Sequence, residues 1–154
     1  MPDDDLLDQV KNLLTLERGI YSELRAMVSR ELEAIVLNCD MVELLAILQE
    51  KQELISRLQL LSDSWLDAVP TLGVREPRGA AGFWEKLASF FPGERSAEFS
   101  QALAETRHVA EDLMEAEKKV QEELENHVRQ LREKMLQMTQ GRSAFINYTK
   151  TTRK

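Results

Sequence analysis

The sequence predicts an all-α fold: a long antiparallel helical hairpin plus a third long helix, packed as a coiled-coil-like bundle. Three observations point there. Apolar residues recur at alternating steps of three and four along most of the 154-residue chain, the spacing that puts them on one face of a helix. The 43% apolar and 31% charged shares, with aromatics at 6%, suit thin, solvated helices and not a thick core. Helix breakers concentrate in one place: "PTLGVREPRGAAG", residues 70–82, holds two prolines and three glycines.

The first helix is expected near residues 3–37. Leu7, Val10, Leu14, Tyr21, Leu24, Val28 and Ile35 keep the heptad, and Leu6, Leu13, Ile20 and Met27 widen the stripe, as a bundle helix requires. Asp3, Asp4 and Asp5 place caps and negative charge at the positive end of the helix dipole. Asn38 tolerates the left-handed conformation that ends helices, and Asp40 is positioned to cap the next, with Glu43 completing an acidic form of the capping box.

The second helix, near 41–68, presents Met41, Leu44, Leu48, Ile55, Leu58 and Trp65, flanked by Ile47, Leu54 and Leu61. Two long amphipathic helices joined by about three residues must fold back on each other, since neither buries its stripe alone. Polar residues interrupt both seams: Glu17 and Glu31 in the first, Lys51 in the second. Antiparallel pairing about a tip near Cys39 brings Lys51 opposite residues 27–31. A Lys51–Glu31 contact would set register; the alternative is a Lys51 that snorkels to water.

After the linker at 70–82, "FWEKLASFFPG" reads as a short helix over 83–91, either packed on the end of the hairpin or exposed as a sticky contact. The third helix is expected over about 96–140, with Phe99, Leu103, Ala110, Leu113, Val120, Leu124, Leu131 and Met138 in heptad and Val109, Val128 and Met135 on the flank. At 1.5 Å per residue it is close to 70 Å long and overhangs a hairpin of roughly 50 Å. Gly141 is expected to end it. Residues 1–140 then form one domain, and 141–154 a flexible basic tail containing Arg142, Lys150, Arg153 and Lys154.

Several function classes are disfavoured. A net charge of −7 opposes general nucleic-acid binding. No apolar run approaches the ~20 residues of a membrane span, and "MPDDDLLDQV" lacks a signal-peptide layout, so a cytoplasmic protein is expected. The single cysteine, Cys39, rules out an internal disulfide. His108 and His127 are the only histidines. Glu105 and His108 make one Glu-x-x-His pair, where a di-iron bundle needs two. No enzyme, metal or cofactor is expected.

The stretch "LLTLERGIYSELRAMVSRELEAIVLNCDMVELLAILQEKQELISRLQLL" resembles the FlgN-type flagellar secretion chaperones. The features that carry it are a helix holding Glu17 and Leu24, an Asp-capped break, and a helix with Leu45, Leu48, Glu50, Lys51, Gln52 and Leu54. The resemblance implies a cytosolic chaperone for hook–filament junction subunits, holding an amphipathic terminal segment and delivering it to flagellar export gate or ATPase components.

A stripe left without an intramolecular partner is where such a segment would dock: Val120, Leu124, Val128, Leu131, Met135 and Met138, with Phe145, Ile146 and Tyr148 of the tail folding onto the client or onto an export gate. The methionines suit a surface that repacks. Burial of the same stripe in a weak homodimer, or in a structural coiled-coil scaffold with no client, is the competing use.

Overall fold

The structure, a computed structural model, describes residues 4–37, 40–76, 78 and 80–152, with side chains for all of these except 81 and 142–152. Four helices account for it: α1 (Asp4–Leu37), α2 (Met41–Thr71), α3 (Ala81–Ala88) and α4 (Glu94–Thr152). They pack as an all-α bundle in which α1 is central and packs against both α2 and α4. Among the described residues α2 and α4 have no close backbone approach.

Ion pairs give the register. Arg30–Glu50 and Glu23–Arg57 run in opposite numerical senses, so α1 and α2 are antiparallel. Lys11–Glu98, Arg18–Glu105 and Arg25–Asp112 all carry the same 87-residue offset and step by heptads, so α4 runs parallel to α1. Asp40 begins α2 as expected: it is extended (φ −68°, ψ 111°) and its Oδ1 accepts from the Val42 N–H at 3.0 Å. Asn38 and Cys39, the tip of the hairpin, lie outside the described residues.

Two apolar cores divide the bundle. The larger, at its base, joins Leu7, Val10 and Leu14 of α1 to Trp65 of α2, Phe83 and Leu87 of α3, Phe91, and Phe99 of α4. Burying each such side chain fully is worth roughly 1.5–3 kcal/mol. "FWEKLASFF" is thus a plug beneath the hairpin. Phe91 stacks on Phe99 with centroids 4.4 Å apart, and Trp84 meets Trp65 edge-on at 5.9 Å. The smaller, distal core holds Val28, Ile35, Ala116 and Val120, with Leu32, Leu44 and Leu113 against it.

Three sequence expectations change. Helix α2 continues past Pro70 to Thr71; the bond that the proline cannot donate would go to the carbonyl of Leu66, an exposed residue. Its buried line is Ile47, Lys51, Leu54, Leu61 and Trp65, while Met41, Leu48 and Ile55 are exposed, because α1 takes the flank as its seam. Helix α4 does not stop at Gly141 but runs to Thr152. Glycine lowers helix stability by about 1 kcal/mol without ending a helix, and Gly141 has neither a left-handed φ nor a neighbour within 4 Å of an added Cβ. Left-handed glycines occur where turns need them, at Gly73 (φ 80°) and Gly93 (φ 54°), on either side of the α3 connection.

Candidate partner-binding site

The site follows from the length mismatch. Carrying the 87-residue offset to the end of α1 puts Leu37 level with Leu124, and nothing of α1 lies beside α4 after that. Some 28 further residues of α4 rise about 40 Å beyond the hairpin. Of the six residues expected to form an open stripe, Val120 is not part of it: at 3% exposure it belongs to the distal core, since α1 still reaches its level. Leu124, Val128, Leu131, Met135 and Met138 are open, from 41% exposed at Leu124 to 70% at Met138. Phe145, Ile146 and Tyr148 lie on the helical backbone of α4, and their side chains are outside the described residues.

Five large apolar groups repeating at four and three make a coiled-coil seam without a partner. Polar neighbours surround them: Gln121, Glu125, Arg129 and Arg132 line the shallow surface around Leu124 and Val128. Such a face can take an amphipathic helix, with apolar anchors at successive turns and charged rims setting direction. His127 is half-buried at its start.

The register-setting polar residues sit deeper. Lys51 Nζ lies 2.9 Å from Glu31 Oε1 and 2.6 Å from Glu117 Oε1, so one ammonium from α2 ties α1 to α4. Lys51 and Glu31 are 11% and 4% exposed in their side chains, which makes this a buried pair and not a snorkelling lysine. Burial works against the charge of Lys51, but the hydrogen bonds to Glu117 and Glu31 outweigh it and raise its pKa.

Nearer the base, the Arg78 guanidinium donates to Glu17 Oε1 at 2.6 Å, and the Tyr21 hydroxyl donates to the same oxygen at 3.2 Å. Burial, then the Glu17 charge, pushes the Tyr21 phenol up to about 12. Arg78 also covers Trp65 and Trp84, 5.0 and 5.8 Å from their centroids. Arg78 Nε and Trp65 Nε1 are buried without a hydrogen-bond partner among the described residues.

Glu105 is engaged by Arg18 and not by His108, and among the described residues no group of three or more His, Cys, Asp or Glu is placed to hold a metal ion. Nor is any described helix long and apolar enough to cross a membrane. A parallel helix pair with an overhanging apolar seam, on a capped hairpin with a lysine in its core, is a binding architecture, and its family can now be stated. The family model described as FlgN protein matches residues 1–154, the whole chain. The chain belongs to the FlgN family.

FlgN proteins are flagellar export chaperones, and the FlgN chain described here has that general role. No curated protein and no solved structure matches it. Sequence reasoning paired Lys51 with Glu31 but missed Glu117, which sits in a run of solvated glutamates, and missed Arg78, which comes from the glycine-rich connection. It also missed the ladder Lys11, Arg18, Arg25 against Glu98, Glu105, Asp112, although its heptad spacing and complementary signs are readable.

Proposed function

We propose that this FlgN-family chain is a cytoplasmic chaperone that works by binding, without catalysis. It would hold the amphipathic terminal segment of hook–filament junction subunits, prevent their premature association and hand them to the export gate or ATPase. The observation that carries this reading is the open seam Leu124–Met138 on a helix that outruns its own hairpin. An uncovered heptad of this length costs solubility unless something covers it part of the time. Exposed methionines, Met135 and Met138, adapt to more than one client sequence.

The test is a double substitution, Leu124→Asp with Leu131→Asp, assayed by calorimetric titration with purified junction subunits. Both side chains are solvent-facing, so helix content should stay nearly unchanged while binding is lost. Retained binding would place the site elsewhere and defeat the reading.

A further inference from the structure

The connection that follows α2 builds a cavity at the base of the bundle, at the end opposite the open seam of α4. Leu72 closes the last turn of α2. Gly73, left-handed at φ 80°, donates to the Pro70 carbonyl at 3.0 Å and turns the chain back. Val74, Glu76 and Arg78 of the returning chain face the end of α2, and Phe83 of α3 closes the space, about 520 Å3 in all. Small-molecule sites have this character: roughly 300–1,000 Å3, mostly apolar walls and a few polar groups. Here the buried Trp65, Val69, Val74 and Phe83 supply the walls, and the exposed Leu66 stands at the rim.

The polar groups of this wall are donors in search of an acceptor. Trp65 Nε1 and Arg78 Nε are both buried without a hydrogen-bond partner among the described residues. A buried donor left so destabilises the fold, and an acceptor brought by a ligand relieves it. Glu76, the carboxylate of the lining, is already engaged at both oxygens. Its Oε1 accepts from Lys86 Nζ at 3.3 Å and its Oε2 from the Arg75 backbone N–H at 3.2 Å. The Arg75 guanidinium has no ion-pair partner among the described residues. The lining thus holds two guanidinia against one engaged carboxylate, in a chain whose net charge is −7.

We infer that this cavity binds a small carboxylic acid with an apolar, ring-sized body. The body packs between Trp65, Val69 and Phe83, where aromatic faces give it both area and orientation. Its carboxylate pairs with the Arg75 and Arg78 side chains in charge-assisted bonds and accepts from the Trp65 indole N–H. A neutral ligand leaves the Arg75 charge unanswered, and an ammonium meets two guanidinia. The ligand is not the client of the α4 seam, so this site and the proposed function stand or fall separately.

Trp65 and Trp84 are the two tryptophans of the chain, and they meet edge-on at this site with centroids 5.9 Å apart. Intrinsic fluorescence of the full chain therefore reports the cavity and not the seam. Three probes are titrated: 4-phenylbutyrate, 4-phenyl-1-butanol with the same body and no charge, and acetate with the charge and no body. 4-Phenylbutyrate should change the emission saturably and bind about ten-fold or more tighter than either of the others. Arg75→Gln should weaken it about five-fold, and Leu66→Glu, which sets a like charge at the rim, about ten-fold. Both side chains are exposed, so circular dichroism should show unchanged helix content in each variant. No saturable response to 4-phenylbutyrate, equal affinity for the alcohol or for acetate, or unchanged affinity in both variants overturns the proposal.

Discussion

Among single residues, Lys51 has the largest consequence. Glu31 is held in the bundle by one ammonium, so Lys51→Ala should leave a buried carboxylate unpaired and lower unfolding stability by about 3 kcal/mol. The double change Glu31→Leu with Lys51→Leu should recover most of that loss in the same denaturant melts, since an apolar pair fills the gap without desolvating charge. If the double variant is as unstable as Lys51→Ala, the pair contributes more than register.

Tyr21 makes a pH prediction. Its folded pKa of about 12 exceeds the ordinary 10.0, so the folded state keeps a proton that the unfolded chain loses. The resulting stability is complete below pH 10 and disappears as pH rises from 10 to 12. The raised pKa of Lys51 acts in the same alkaline direction. Tyr21→Phe should flatten this decline in thermal melts taken across that range. The Glu31–Lys51 pair was legible because a short tip fixes antiparallel register. The partner of Glu17 was not, because Arg78 arrives from a connection with no period.

Among elements, α4 departs most from its sequence reading. A stop at Gly141 is reasonable when glycine is read as a C-cap, but no proline follows and the backbone there is right-handed. Gly141→Ala should therefore stabilise the distal rod by about 0.5–1 kcal/mol and slow amide exchange around it. Faster exchange or lost helicity would restore the stop. For α2, Asp40→Ala removes the one side-chain bond to the Val42 N–H and should lower stability by about 1 kcal/mol in urea melts. The hairpin was readable from its caps and stripes. Which flank of α2 faced α1 was not, because apolar residues occupy adjacent lines of the wheel and only packing with α1 and α3 decides between them.

For the molecule as a whole, the chain builds a rigid base and an unsatisfied far end. The base is closed by α3 and the Trp65–Phe83–Phe99 core, while distal α4 projects from the only level at which α1 stops supporting it. An overhang was legible from length, since the expected helix over about 96–140 already exceeded the one expected over 3–37; its full extent was not, because α4 runs on through Gly141 to 59 residues against 34 for α1. Its parallel alignment with α1 was not, because the sequence does not state how the 70–82 connection returns.

The central claim is that the Leu124–Met138 face is uncovered by its own chain and covered by a client. Hydrogen exchange followed by mass spectrometry, with and without a purified junction subunit, tests it most directly. The account predicts rapid exchange over residues 124–141 in the free protein and strong protection there on adding the subunit. Slow exchange in the free protein, or protection confined to the base, would contradict it.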